Sequence, residues 1–258
     1  MGVLGNLFER KNCDICGKQT NIFGGTKLEN GRLCKDCANK LSPYLSGVKH
    51  LTVDDIRDHL AYREENAEKV KAFDVSYAIG GKNAKLYIDM EKQQLIVSSS
   101  GNWRNTNPDI LNFDQIVNCD LDIKENRTEI KKKDEEGKEV SYDPKRYEYS
   151  YNFYVYITVN ASFFNSLSMK INSSSVDGYD NDEYEECYLV SQEICEILDL
   201  IRNKETDLID EAVEYYTNRL NAPKRAYNKN TYYSDTRKYS RTYDYYLERD
   251  PRKNHYKF

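Results

Sequence analysis

No stretch of this chain approaches the roughly 18 consecutive apolar residues that a helix needs to cross a bilayer, so an integral helical membrane protein is not expected. The first ten residues, Met1 to Arg10, hold a short apolar stretch, an acidic Glu9 and no basic residue ahead of it, a poor secretory signal, and the reading is cytoplasmic. Histidine is scarce: His50, His59 and His255 are scattered, and His59, in a charged helical segment, reads as a surface residue rather than a base. No Gly-x-Ser-x-Gly elbow is present to expose a nucleophile. Gly80-Gly-Lys82 lacks both the spacing and the following Ser or Thr of a phosphate loop. Acidic residues fall in charged runs such as Asp182 to Glu186, which suit a solvated helix start. These absences together predict a protein that is not an enzyme.

Cysteine is what the chain does have. Of seven cysteines, four form two Cys-x-x-Cys pairs, Cys13-Asp-Ile-Cys16 and Cys34-Lys-Asp-Cys37, with seventeen residues between the pairs. That spacing is the one expected of a four-thiolate zinc site. Each short turn lets two thiolates meet one tetrahedral ion at about 2.3 Å, and two such turns fill the shell with no position left for water or substrate. A structural Zn2+ held by Cys13, Cys16, Cys34 and Cys37 is therefore expected. A redox role for the first pair lacks the βαβ context it would need. Paired metal spacing also fits a reducing compartment better than a disulfide framework. The other three, Cys119, Cys187 and Cys195, lie within apolar patterns and read as small packed hydrophobes.

An α+β chain in five parts is predicted. Residues 10–50 form a treble-clef or zinc-ribbon unit, with a hairpin formed from Ile22–Gly25 and Lys27–Leu28 and a helix after Cys37 that Ser42-Pro43 ends. Residues 51–74 form a connector helix opened by Thr52 and Asp55, a capping box with Asp in the usual Glu place; its apolar stripe is Ile56, Leu60, Ala67 and Val70. Residues 75–204 form an antiparallel sheet or partly open barrel. Its strongest strand is Tyr147 to Val159, where every odd position is aromatic or β-branched. Val117, Cys119, Leu121 and Ile123 alternate in another strand, and Asp134 to Gly137 is the tip of a long hairpin. A helix over about 182–202 covers the sheet through Cys187, Val190, Ile194, Ile197 and Ile201. Residues 205–221 are a helical extension.

Residues 222–258 are a basic tail carrying ten Lys or Arg against four Asp or Glu, a local +6 that leaves −11 on the rest of a chain whose net charge is −5. Eight of the 23 tyrosines lie in this tail. Bases stack on such tyrosines while Lys and Arg follow phosphates, so Lys224, Arg225, Arg237, Lys238 and Arg241 are candidate contacts for a nucleic acid or an acidic partner. Trp103 and Arg104, in the polar loop Ser100 to Pro108, are candidate partner contacts if exposed; otherwise Trp103 plugs one end of the barrel. The cysteine segment itself is a poorer nucleic-acid surface, because four thiolates and one Zn2+ leave it only weakly positive. A peripheral membrane role for the sheet is a third possibility, opposed by the acidic body.

Cys13-Asp-Ile-Cys-Gly-Lys18, Cys34-Lys-Asp-Cys37 and Lys40-Leu-Ser-Pro43, with the helix running through Arg63-Glu-Glu-Asn66, resemble a small zinc domain of unknown function found in Gram-positive bacteria and their phages. The resemblance covers roughly residues 10–75. The β-rich middle closed by a helix is similar in order of elements to bacterial pleckstrin-homology-like and GRAM-like domains, with Asn112-Phe-Asp-Gln-Ile116 as the local match. The first resemblance carries no assigned function, and the second implies a binding module without naming its ligand. The expected function is a non-enzymatic interaction protein of bacterial or phage origin that binds a protein partner through the zinc unit and the sheet domain, with nucleic acid, through finger and tail, as the alternative ligand and a membrane surface as a further one.

Overall fold

The computed structural model describes residues 12–20, 25–179 and 181–222. A small N-terminal head comes first. Strands β1 (Thr26–Lys27) and β2 (Arg32–Leu33) pair antiparallel, and a one-turn helix α1 (Lys35–Ala38) follows. The hairpin therefore turns at Leu28 to Gly31, later than the sequence suggested, because Leu28 N–H reaches Gly31 O at 2.9 Å. Of the residues expected in its first arm, 21–24 lie outside the described ones. The helix expected after Cys37 instead starts at Lys35 and contains Cys37, and turns carry the chain from Asn39 on to Ser42.

Helix α2 (Val53–Ala72) opens with the expected cap: Thr52 Oγ1 accepts from Asp55 N–H at 3.1 Å, and Thr52 N–H donates to Asp55 Oδ2 at 2.8 Å. Its buried face is Val53, Ile56, His59, Arg63, Asn66 and Val70, spaced three or four residues apart as one side of a helix requires. Half of that face is polar. His59, expected at the surface, is fully buried: it lies on the same stripe as Ile56 and packs edge-on to Phe163 at 4.7 Å.

The body follows. One antiparallel sheet runs β3 (Tyr77–Gly80), β4 (Lys85–Asp89), β5 (Gln94–Ser98), β6 (Ile110–Asn112). A second contains β7 (Ile116–Lys133), β8 (Glu139–Val159), β9 (Ser166–Lys170) and β10 (Val176–Asp177), with β8 pairing the other three. Among the described residues no ladder joins the two sheets, so they form an open pair rather than a closed barrel. The odd residues of β8, Tyr151, Phe153, Val155, Ile157 and Val159, point into a core shared with Leu86, Ile88, Leu95 and Leu111 of the first sheet. Helix α3 (Asp182–Asn203) closes that core with the predicted stripe, and α4 (Ile209–Asn221) packs on α3. Val117 departs from its expected inward place and is 50% exposed, because a bulge between Ile116 and Asn118 shifts the alternation by one.

Beyond Ser150, where β10 stops pairing, β7 and β8 continue toward the Asp134 to Gly137 turn as a two-stranded ribbon paired only with itself. Midway, Ile130 faces Arg146 and Lys131 faces Ser141, so residues 142–145 of β8 bulge out without opposite partners.

Candidate metal centre

The chain doubles back on itself between Cys13 and Gly17, with Gly17 N–H on Cys13 O at 2.8 Å, and Gly17 takes φ of +71°, a left-handed geometry that glycine adopts without a Cβ clash. Cys13 and Cys16 thereby present their sulfurs from one tight turn. Cys34 is the N-cap of α1, its Sγ accepting from Cys37 N–H at 3.4 Å, so the second pair sits where unpaired helix amides favour negative sulfur. Asp14 ties the first turn to the hairpin: Arg32 N–H donates to Asp14 Oδ2 at 2.7 Å and Asp14 N–H to Arg32 O at 3.0 Å. There is no room for a side chain at Gly31, where a Cβ would lie 2.5 Å from Val53 Cγ2 and 2.9 Å from Asp14 Oδ2. A surface pair, Lys18 to Asp36 at 2.8 Å, links the two cysteine turns and adds little at that exposure.

The outcome is four Sγ atoms within 4.8 Å of one another, with Cys16 and Cys34 sulfurs 3.6 Å apart. Sulfurs held at about 2.3 Å from one tetrahedral ion stand in that range. Cys13, Cys34 and Cys37 are buried and Cys16 is exposed. Burial opposes ionisation of Cys13, yet the N–H groups of Cys16, Cys34 and Ile15, with the Cys16 thiol, outweigh it and lower its pKa to about 6. Cys37 goes the other way: burial, then proton sharing with Cys16, Cys34 and Cys13, pushes its thiol far up. A cluster with one thiol ready to ionise and another refusing to do so suits a cation, which removes the conflict by drawing all four sulfurs into the thiolate form. The donors fit a soft divalent metal in a closed tetrahedral shell.

The head's buried cluster is small. It comprises Leu28, Leu33, Val53 and Ile56 besides three cysteines, with Ile15, Leu41, Leu45, Val48, Leu51 and Leu60 partly buried against it. Four buried aliphatic side chains at about 1.5–3 kcal/mol each are few against roughly 1–2 kcal/mol of backbone entropy for each residue ordered, a setting in which a bound cation would contribute most.

A second, polar cluster, which no local pattern announces, fixes the head to the body. Arg63 on α2 pairs with Asp109 ahead of β6 at 2.7 Å, with both side chains almost wholly buried. Asp109 also accepts from Ser42 Oγ at 2.7 Å and Tyr62 Oη at 2.9 Å. Arg63 donates to the carbonyls of Lys40 and Asn107. Asn66 donates to Pro108 O at 2.7 Å and accepts from Ile110 N–H at 2.9 Å. His59 Nε2 accepts from Ser42 N–H at 3.0 Å, and burial, then the Arg63 cation, lowers its pKa, so the ring stays neutral. Head, helix and sheet thus share one hydrogen-bonded joint.

Trp103 and Arg104, expected as partner contacts, are taken up inside the protein. Trp103 is buried against Phe73 and Tyr87. Arg104 lies over the Trp103 ring at 4.4 Å and donates to Val70 O at 3.0 Å and Phe73 O at 2.8 Å, capping the C-terminal carbonyls of α2. Lys224, Arg225, Arg237, Lys238 and Arg241 lie outside the described residues. Among the described residues the cysteine quartet is the one cluster of His, Cys, Asp or Glu close enough to hold a metal, and no helix is long and apolar enough to cross a membrane.

Residues 11–59 match a family described as a domain of unknown function, DUF4428. The matched segment holds all four cysteines and ends on His59, so it takes in the first turns of α2 that complete the head's core. No curated protein and no solved structure matches the chain.

Proposed function

We propose that this chain is a non-enzymatic zinc-binding interaction protein of bacterial or phage origin, in which a Zn2+-closed head and a pleckstrin-like sheet domain together present a protein-binding surface. The observation that carries the reading is the convergence of four sulfurs within 4.8 Å, with no nitrogen or oxygen donor among them. A closed thiolate shell leaves no coordination position for substrate, so the metal acts on shape. Zinc is the divalent ion that best suits four thiolates without redox chemistry. The joint around Arg63 and Asp109 supports a rigid arrangement in which the head cannot swing relative to the sheets, as a composite surface requires.

The β7–β8 ribbon supplies area for a partner. Its tyrosines are braced by cations, with Arg127 over Tyr147 at 4.3 Å and Arg146 over Tyr142 at 4.5 Å. Aromatic and arginine side chains are the types enriched at protein–protein contacts. From 125 to 148 the ribbon holds seven Lys or Arg and eight Asp or Glu. That near balance favours a protein over a phosphate backbone, which demands a dense positive surface.

Metal analysis of the purified chain is the first test: one equivalent of zinc is expected, and iron or no metal overturns the zinc assignment. Affinity capture then compares the wild type, a chain with the ribbon shortened between residues 131 and 141, and Cys34→Ser. A partner held by the wild type and released by both changes supports the composite surface; retention by both changes refutes it. Nucleic-acid binding through the tail would instead weaken steeply with salt and vanish on removal of residues 223–258.

A further inference from the structure

Outside the metal centre the fold brings two more sulfurs together. Cys119 on β7 and Cys195 on α3 are 76 positions apart in sequence, yet their Sγ atoms are 2.8 Å apart in the core. Both are buried, at 3% and 0% exposure. The separation is inside the resting distance of two non-bonded sulfurs and beyond a covalent S–S bond of about 2.05 Å. The sheet and the helix therefore aim the two side chains at each other with nothing between them. Cys187, also on α3, stands two helical turns away, and the four metal-site thiols belong to a different buried cluster. The seven cysteines thus sort by geometry into a metal quartet, a facing pair and a single residue.

We propose that Cys119 and Cys195 are an oxidisable dithiol, a modification site at which a small peroxide installs a disulfide between β7 and α3. One sulfur, as thiolate, attacks a peroxide oxygen; the O–O bond breaks, water leaves and a sulfenic acid remains. The facing thiol then attacks that sulfur, the S–O bond breaks and a second water departs. Two thiols lose two protons and two electrons, and hydrogen peroxide takes up both and is reduced to two waters. The buried position selects for an oxidant of this size over bulky disulfides. Burial, and then the nearby Cys195, Asp199 and Asp120, hold the Cys119 thiol well above its ordinary pKa, which makes the reaction slow at neutral pH. The resulting bond fastens the covering helix to the sheet and closes a long loop, so it restricts the unfolded chain.

The test uses the full-length metal-loaded chain, treated with one equivalent of hydrogen peroxide or with dithiothreitol, then denatured, alkylated and mapped by mass spectrometry. Oxidised protein is expected to be two hydrogens lighter, to leave five of its seven cysteines alkylatable, and to yield a peptide cross-linked between Cys119 and Cys195. Its thermal midpoint should rise and return to the starting value on reduction. Cys119→Ser and Cys195→Ser should each abolish the cross-link and the shift. Wild-type mapping decides the matter even if a serine disturbs the core: seven alkylated cysteines after oxidant, or a cross-link made by Cys187 or a metal-site cysteine instead, overturns the proposal.

Discussion

The head and the body of this protein are both antiparallel strands covered by a helix, but they are held together by different physics. In the body, β8 alone contributes five fully or nearly fully buried side chains, and α3 adds a continuous apolar stripe. Burial on that scale needs no other glue. In the head, only four aliphatic side chains are buried beside the cysteines, with six more partly buried against them. The two neighbouring units thus differ in how much apolar surface they remove from water, and the smaller one carries four clustered thiols suited to chelation. The comparison predicts where each unit is vulnerable.

Metal removal should have the largest effect and should fall on one side. Structural Zn2+ contributes on the order of 10–16 kcal/mol in finger-sized units. Chelation, or Cys34→Ser, is therefore expected to unfold the head, together with the first turns of α2 that complete its core, while the body keeps its cooperative transition. Hydrogen exchange read by segment checks this: amides of β2 and α1 lose protection and those of β8 and α3 retain it. Equal loss in both regions would break the comparison and make the metal a support for the whole molecule.

Next in size is the joint. Removing one partner of a buried ion pair leaves the other charged and desolvated, at a cost of about 3–5 kcal/mol. Arg63→Leu should lower stability by that amount in denaturant titrations, since Asp109 would keep only the Ser42 and Tyr62 hydroxyls as donors. The double variant Arg63→Leu with Asp109→Leu should recover part of the loss, because no charge is then stranded. If the single variant changes nothing, the two regions are merely adjacent.

What the sequence disclosed follows the same division. The metal ligands were legible because Cys-x-x-Cys is a local pattern, and β8, α3 and the Thr52 cap were legible because period and capping are local too. The hidden parts depend on distant chain segments. His59 read as a surface residue of a charged helix, and only distant segments turn that face inward: Ser42 and Phe163 enclose His59, and Asn107 to Ile110, more than forty positions on, take up Arg63 and Asn66. Trp103 looked like a loop aromatic awaiting a partner, and its partner is the end of α2. The Val117 bulge is likewise a register fact, set by pairing across strands and invisible to alternation within one, and the Cys119 to Cys195 approach depends on how α3 packs on the sheet.

The body carries a charge problem of its own. Glu193 on α3 is 5% exposed, and burial, then repulsion from Glu196, raises its pKa from 4.5 to about 7. Between those two values the native state holds a proton that the unfolded chain releases, so stability falls as pH rises from 4.5 to 7 and levels off above. The full loss is about 3 kcal/mol at about 1.36 kcal/mol per unit. Glu193→Gln should raise the midpoint at pH 8, leave it nearly unchanged at pH 4.5, and flatten the profile between. Glu196 and Asp199, also raised chiefly by burial, slope the same way, so a residual gradient in the variant is expected.

The smallest change bears on where the boundary between the two regions lies. Thr52→Ala removes the side chain that accepts Asp55 N–H and should cost about 1 kcal/mol, the usual worth of an N-cap. That cap sits at the seam: Val53 N–H donates to Asn30 Oδ1 at 2.8 Å in the head, while Val70, at the far end of the same helix, packs against Phe73 and Trp103 beside the sheet. With metal bound the substitution should register in global unfolding. In metal-depleted protein its effect should disappear if the first turns of α2 melt with the head, and persist if the helix belongs wholly to the body. Because Val53 and Ile56 belong to the head's buried cluster, disappearance is the expected result, and it would place the boundary inside α2, beyond Ile56, rather than before Thr52.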